Sequence, residues 1–154
     1  MELGKILSPD AIRVVSVQSS KKRLFHMLGE MADSVYGLDT KTVVNALLER
    51  ETLGPTGVGH GVALPHARLA GLSHVVGLFV LLEKPIEFDA VDNVPVDLVF
   101  TLLAPENAGV EHLRALALVS RTLREPNVCA KLRANADPAT LFTILTESQN
   151  VQAA

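Results

Sequence analysis

The run GVGHGVALPHARL, residues 57–69, holds two histidines, His60 and His66, the second directly after Pro65. An imidazole with its ordinary pKa of about 6.5 is largely neutral at pH 7, and a neutral ring nitrogen is a nucleophile or a metal ligand. Gly54, Gly57, Gly59 and Gly61 crowd the approach to His66. Glycine weakens helix and strand interiors alike, so this density predicts a loop. Such a loop lets successive backbone N–H groups approach an anion. Pro65 biases Leu64 to extended geometry, which predicts His66 at a strand end and not in a helix. Residue types alone leave two readings open. One is an anion-binding loop with a positioned imidazole. The other is a glycine-rich hairpin with two incidental histidines.

The elements that must hold this segment are readable around it. IRVVSV (12–17) predicts a short strand. Residues 19–37 predict a helix with Ser19 or Ser20 as N-cap, an apolar stripe of Leu24, Leu28, Met31 and Val35, and Gly37 as stop. A second helix over 39–51 starts at Asp39 or Thr40 and turns Val43, Val44, Leu47 and Leu48 inward. VAL (62–64) is expected to be extended. VVGLFVLL (75–82) and VPVDLVFTLLA (94–104) are apolar on both faces, as central strands are. Asp97 interrupts the second and must be paired or lie at a strand end. Helices follow over 109–125, 127–136 and 137–147, the last with Asp137 as N-cap and Pro138 at its first position. Strands in the middle and helices at both ends predict an α/β fold, a mixed sheet sandwiched between helices. The expected organisation is one domain over 1–154 with its core at about 6–147.

Composition narrows the chemistry. Apolar residues make up 48% and charged residues 20%, which excludes a disordered chain. The lone Cys129 excludes an internal disulfide and a four-cysteine metal site. The first residues include Glu2, Lys5, Asp10 and Arg13 and no apolar stretch, so no signal peptide is expected. Residues 69–82 are too few to span a bilayer and contain Gly71, Ser73 and His74. With a net charge of −3, a single basic cluster at Lys21–Arg23 and six aromatic side chains, no nucleic-acid surface is expected. The expected setting is the cytoplasm, without membrane insertion.

Spacing points further. From Glu51 the chain reads six residues, Val58, Gly59, two residues, then VALPHA. This resembles the signature of the mannitol/fructose-type enzyme IIA domains of the bacterial phosphoenolpyruvate-dependent sugar phosphotransferase system. LLERE (47–51), PVDLVFTLLAPE (95–106) and EHLRALALVSRTL (111–123) extend the likeness over most of the chain. The start, MELGKILSPDAI, is most similar to the nitrogen-regulatory branch. The resemblance implies the mannitol-type enzyme IIA fold, and His66 as phosphoryl acceptor through Nε2, with its other ring nitrogen held by a backbone carbonyl. It implies an HPr-like phosphocarrier as donor, and regulatory targets such as sensor kinases or potassium-transport regulators. It implies no cofactor and no metal. A sugar-uptake role, passing phosphate to a separate enzyme IIB, is the alternative within the family.

The same resemblance implies supporting roles. His112 matches the second active-site histidine, close to His66 and donating to phosphoryl oxygens. Its other reading is a boundary histidine on the face of Leu116 and Val119. Arg50 matches an arginine beside the phosphate, against a reading as a surface arginine at a helix C-terminus. Thr56 is expected to offer its hydroxyl to the phosphate. Glu51 is expected to anchor the loop, because a carboxylate would repel a phosphoryl group. His60 is read as a loop residue near the site, and His26, His74 and Cys129 as structural. A zinc site from His60, His66, His74 and His112 and a Cys–His hydrolase are the rival chemistries, neither with supporting ligand or nucleophile spacing.

Overall fold

The structure, a computed structural model, describes the backbone of residues 1–153 and the side-chain surroundings of residues 1–147. The chain runs α1 (Leu3–Ile6), β1 (Leu7–Val15), α2 (Lys21–Tyr36) and α3 (Thr40–Thr52), then β2 (Gly57–Gly59), β3 (Val62–Ala63), β4 (His66–Leu69), β5 (Val76–Ile86) and β6 (Val96–Pro105), then α4 (Gly109–Leu123), α5 (Pro126–Arg133) and α6 (Pro138–Ala153). Ser20 caps α2 by accepting from the Arg23 N–H, and Gly37 closes it in the left-handed region at φ 69°. Asp39 caps α3 through the Thr42 N–H. Asp137 accepts from the Thr140 N–H ahead of α6. These are the residue types that satisfy orphan helix-end groups, and each lies where the sequence predicts it.

The six strands form one mixed sheet in the order β1-β5-β6-β3-β2, with β4 also on β6. β1 runs parallel to β5, β5 antiparallel to β6, and β3 and β4 parallel to β6. The side chains of β5 from Val76 to Leu82 are all buried, as are all of β6 except Asp97, as expected for strands covered on both faces. The helices α2 and α3 pack together and against the sheet; α4, α5 and α6 form a second group that also packs against it. The core follows this pattern, with Phe25, Phe79, Phe88 and Phe100 fully buried beside many Leu and Val.

Two departures from the sequence expectations bear on the site. The first strand lies at Leu7–Val15 and not at 12–17. It is an edge strand with a register shift between Leu7 and Ile12, and an edge tolerates Pro9 where a central strand would not. The second is β4. Ala63 pairs with Val99 and His66 with Leu102, so β3 and β4 keep a single register along β6, interrupted only at Leu64 and Pro65. His66 therefore opens a strand where the sequence predicts it at a strand end.

Candidate functional site

The interruption is what orients His66. Pro65 has no N–H, and the Leu64 carbonyl turns to the His66 ring, accepting at 2.8 Å from Nδ1. Nδ1 then carries the proton, and Nε2 keeps a free lone pair. Burial holds the His66 pKa below its ordinary value; the Leu64 carbonyl and Glu51 oppose this, and the nearby Arg50 charge reinforces it. The half-buried ring is neutral at pH 7.

His112 packs against it. The two rings meet edge to face, with centroids 5.5 Å apart and planes at 70°. His112 is only 6% exposed. Burial, followed by the charges of His66 and Arg68, holds its pKa at about 4. Its Nδ1 accepts from Arg68 Nε at 3.4 Å. Its Nε2 is buried with no hydrogen-bond partner among the described residues. Such an orphan is rare in native interiors and calls for an explanation. His112 lies in the first turn of α4, whose N-terminus no side chain caps.

Arg50 stands at the end of α3, where one guanidinium nitrogen, Nη1, donates to the Gly54 carbonyl at 3.0 Å. That bond fixes the loop against the arginine, and the guanidinium keeps further donors for an anion. Glu51 ties the next residues down. Its carboxylate accepts from the Thr56 N–H at 3.0 Å, from the Thr56 hydroxyl at 2.6 Å and from Lys21 at 2.7 Å. Lys21 also sits over the Phe88 ring, 4.5 Å from its centre. Thr56 is buried, and its hydroxyl proton is committed to Glu51, so that proton is not free for a phosphate.

Three exposed apolar side chains lie beside these residues in the chain: Leu53 just past Arg50, and Val110 and Leu113 on either side of His112, at 82%, 62% and 65% exposure. Arg68, exposed on β4, was not among the residues the sequence singled out. Its contact joins positions 44 apart, and only its place two residues after His66, on the same strand side, could have flagged it.

The glycine run does something other than cradle an anion. Gly59, His60 and Gly61 all have positive φ and form the turn between β2 and β3. A Cβ at Gly57 would press on Ala90, and one at Gly61 on Arg133 and Asp97. The glycines thus permit close backbone approach to the segment around 90–97. The register puts His60 beyond the opposite end of β3 from His66. There the His60 N–H donates to Asp92 at 2.8 Å and its carbonyl accepts from Arg133 at 2.8 Å. His60 is therefore not beside His66, contrary to expectation. Asp97 is the second residue of β6 and is paired with Arg133 through two bonds of 2.8 and 2.9 Å. A cavity of about 1170 Å³ opens at this far end and is lined by neither His66 nor His112. Cys129 is buried and donates to the Leu123 carbonyl, and burial raises its pKa. His26 and His74 are exposed. Among the described residues no His, Cys, Asp or Glu cluster could hold a metal ion, and no helix is long and apolar enough to cross a membrane.

Comparison with known proteins shows the family. Residues 5–148 match the model of the phosphoenolpyruvate-dependent sugar phosphotransferase system EIIA 2 family. A nitrogen regulatory protein of Bradyrhizobium diazoefficiens is 43% identical over 94% of this chain and 95% of its own length. A fructose-specific EIIA component of Haloferax volcanii is 37% identical over 96% of this chain and 98% of its own. The crystal structure of the nitrogen regulatory protein IIA-Ntr from Neisseria meningitidis superposes with a TM-score of 0.85 at 38% identity, covering 93% of this chain and 98% of that one. The chain belongs to the EIIA 2 family of the phosphoenolpyruvate-dependent sugar phosphotransferase system.

Proposed function

We propose that this chain is a phosphohistidine carrier. His66 accepts a phosphoryl group from an HPr-like carrier protein, and the charge so gained switches contacts with regulatory partners in nitrogen- and potassium-linked control. One observation carries the reading: a neutral imidazole with Nδ1 anchored and Nε2 free lies against a second neutral imidazole whose Nε2 is buried and unpartnered. In the transfer, the Nε2 lone pair of His66 forms a bond to phosphorus as the phosphorus–nitrogen bond of the donor's phosphohistidine breaks. No proton need leave His66, since Nδ1–H stays on the Leu64 carbonyl. Such transfers ask of the protein alignment and charge stabilisation more than covalent work. His112 Nε2, the guanidinium of Arg50 and the uncapped start of α4 are the groups suited to the phosphoryl oxygens. Thr56 acts with Glu51 to hold the loop that carries them. A donor protein must reach the ring, and Leu53, Val110 and Leu113 offer it an apolar rim.

The regulatory half of the reading rests on similarity to nitrogen regulatory proteins and on charge. A phosphoryl group adds roughly −1.5 to −2 charge at pH 7. A partner packed on the neutral ring would have to bury that charge unpaired, which is unfavourable. Sensor kinases and potassium-transport regulators are the expected partners, met in the cytoplasm. The Haloferax relative favours a second reading, in which the same His66 passes its phosphoryl group to a separate sugar-specific enzyme IIB. The test begins with phosphoenolpyruvate, enzyme I and HPr. An acid-labile, base-stable adduct is expected on the wild type and none on His66→Ala; full labelling of that variant sinks the assignment. Calorimetry against each partner class then separates the readings. Regulation predicts a target that binds the free form at least tenfold more tightly, and a phosphate-insensitive complex with His66→Ala.

A further inference from the structure

The two ring nitrogens of His112 have different surroundings, and the difference fixes where its proton sits. A neutral imidazole carries one N–H and one lone pair. The Arg68 guanidinium has only donors, so the nitrogen that meets Arg68 Nε at 3.4 Å, Nδ1, must present the lone pair. The proton is left on Nε2, the buried atom without a partner. We propose that Arg68 is a positioning residue for phosphoryl transfer: it selects the Nε2–H tautomer of His112 and so equips the site with a preformed, unengaged N–H donor. This deepens the reading of His66 as acceptor and rests on it.

Several features support the assignment. Arg68 follows His66 by two residues on β4, so both side chains leave the same side of the strand while Ala67 between them is buried on the other. β4 keeps its register on β6 from His66 to Leu69, which fixes the base of the arginine side chain. The Arg68 charge also helps to keep His112 neutral, as a tautomer argument requires. With the opposite tautomer, Nε2 would offer a lone pair to negatively charged phosphoryl oxygens and repel them. A preorganised donor that needs no rearrangement during transfer is the more effective one.

The test reads the proton directly. In protein with ¹⁵N-labelled histidine, without phosphate, two-bond and three-bond ¹H–¹⁵N correlations of His112 distinguish the tautomers. The wild type is expected to show protonated Nε2. Arg68→Met is expected to show a substantial Nδ1–H population and a phosphorylation rate at least fivefold lower, in a protein that stays folded because the Arg68 side chain is exposed. Arg68→Lys, whose ammonium also only donates, should keep the Nε2–H form. A wild-type ring protonated on Nδ1 overturns the proposal. So does an Arg68→Met variant that slows transfer with its tautomer unchanged, or that changes tautomer without slowing transfer. The tautomer is measured on unphosphorylated protein, so its failure is distinct from a failure of His66 to accept phosphate.

Discussion

Histidines from one glycine-rich motif stand beside β6 towards its two ends, and the two places are built on opposite terms. At the His60 end the polar groups are paired. Arg133 binds Asp97 through two bonds and the His60 carbonyl through a third, and Asp92 accepts from the backbone of His60 and Val94. At the His66 end polar groups are held in place and left open: Nε2 of His66, Nε2 of His112, the remaining donors of Arg50 and the uncapped start of α4. A satisfied polar network stabilises a structure, whereas buried groups held in place without partners call for an explanation, which the proposed phosphoryl acceptance supplies. A cavity of about 1170 Å³ lies at the satisfied end. A group that passes between two proteins needs an exposed rim more than a deep pocket.

Substitutions can break this contrast, and the largest effect is expected at the acceptor. His66→Ala should abolish phosphorylation, whereas His60→Ala should leave the rate within about twofold, measured by adduct formation from phosphorylated HPr. A strong defect in His60→Ala would erase the distinction between the ends. Next comes His112→Ala, which should remain phosphorylatable on His66 but slow by about 10- to 1000-fold, the range for losing one donor to developing negative charge. Arg50→Ala should slow transfer similarly, and Arg50→Lys should recover only part, since an ammonium lacks the planar fork.

Smaller effects are expected in stability and should divide the other way. Arg133→Ala should lower the unfolding free energy by about 1 kcal/mol, the scale of a partly exposed ion pair with an added carbonyl bond. Its phosphorylation rate should not change. The pH dependence sharpens the opposite end. His112 has a folded pKa of about 4, below the unfolded value of about 6.5. As pH falls from 6.5 towards 4 the unfolded chain binds the extra proton first, so stability should decline across that window and His112→Gln should flatten the decline. Urea midpoints at pH 7, 5.5 and 4.5 measure this; parallel slopes for both proteins would remove His112 as the cause.

Much of this arrangement is legible in the sequence, and the missing parts share a cause. Ser20, Gly37, Asp39 and Asp137 mark helix ends because capping is decided within four residues. The Pro65–His66 step is equally local: the proline removes a donor and bends one carbonyl towards one ring. Long-range facts are not written in any window. The glycines suggest a phosphate cradle, yet Gly57 and Gly61 serve contacts with Ala90 and with Asp97 and Arg133. Asp97 announces the need for a partner but not that Arg133 supplies it. Arg68 is invisible as a site residue until β4 and α4 are brought together. Pro9 argues against a strand until β1 is known to lie at the sheet edge.

Nε2 of His66 is the atom proposed to take the phosphoryl group. Phosphorylating ¹⁵N-histidine-labelled protein from phosphoenolpyruvate and recording ¹⁵N–³¹P couplings tests it directly. The expected result is a single coupled nitrogen, Nε2 of His66, with Nδ1–H retained on the Leu64 carbonyl. Coupling at His112, at His60 or at Nδ1 of His66 would contradict it.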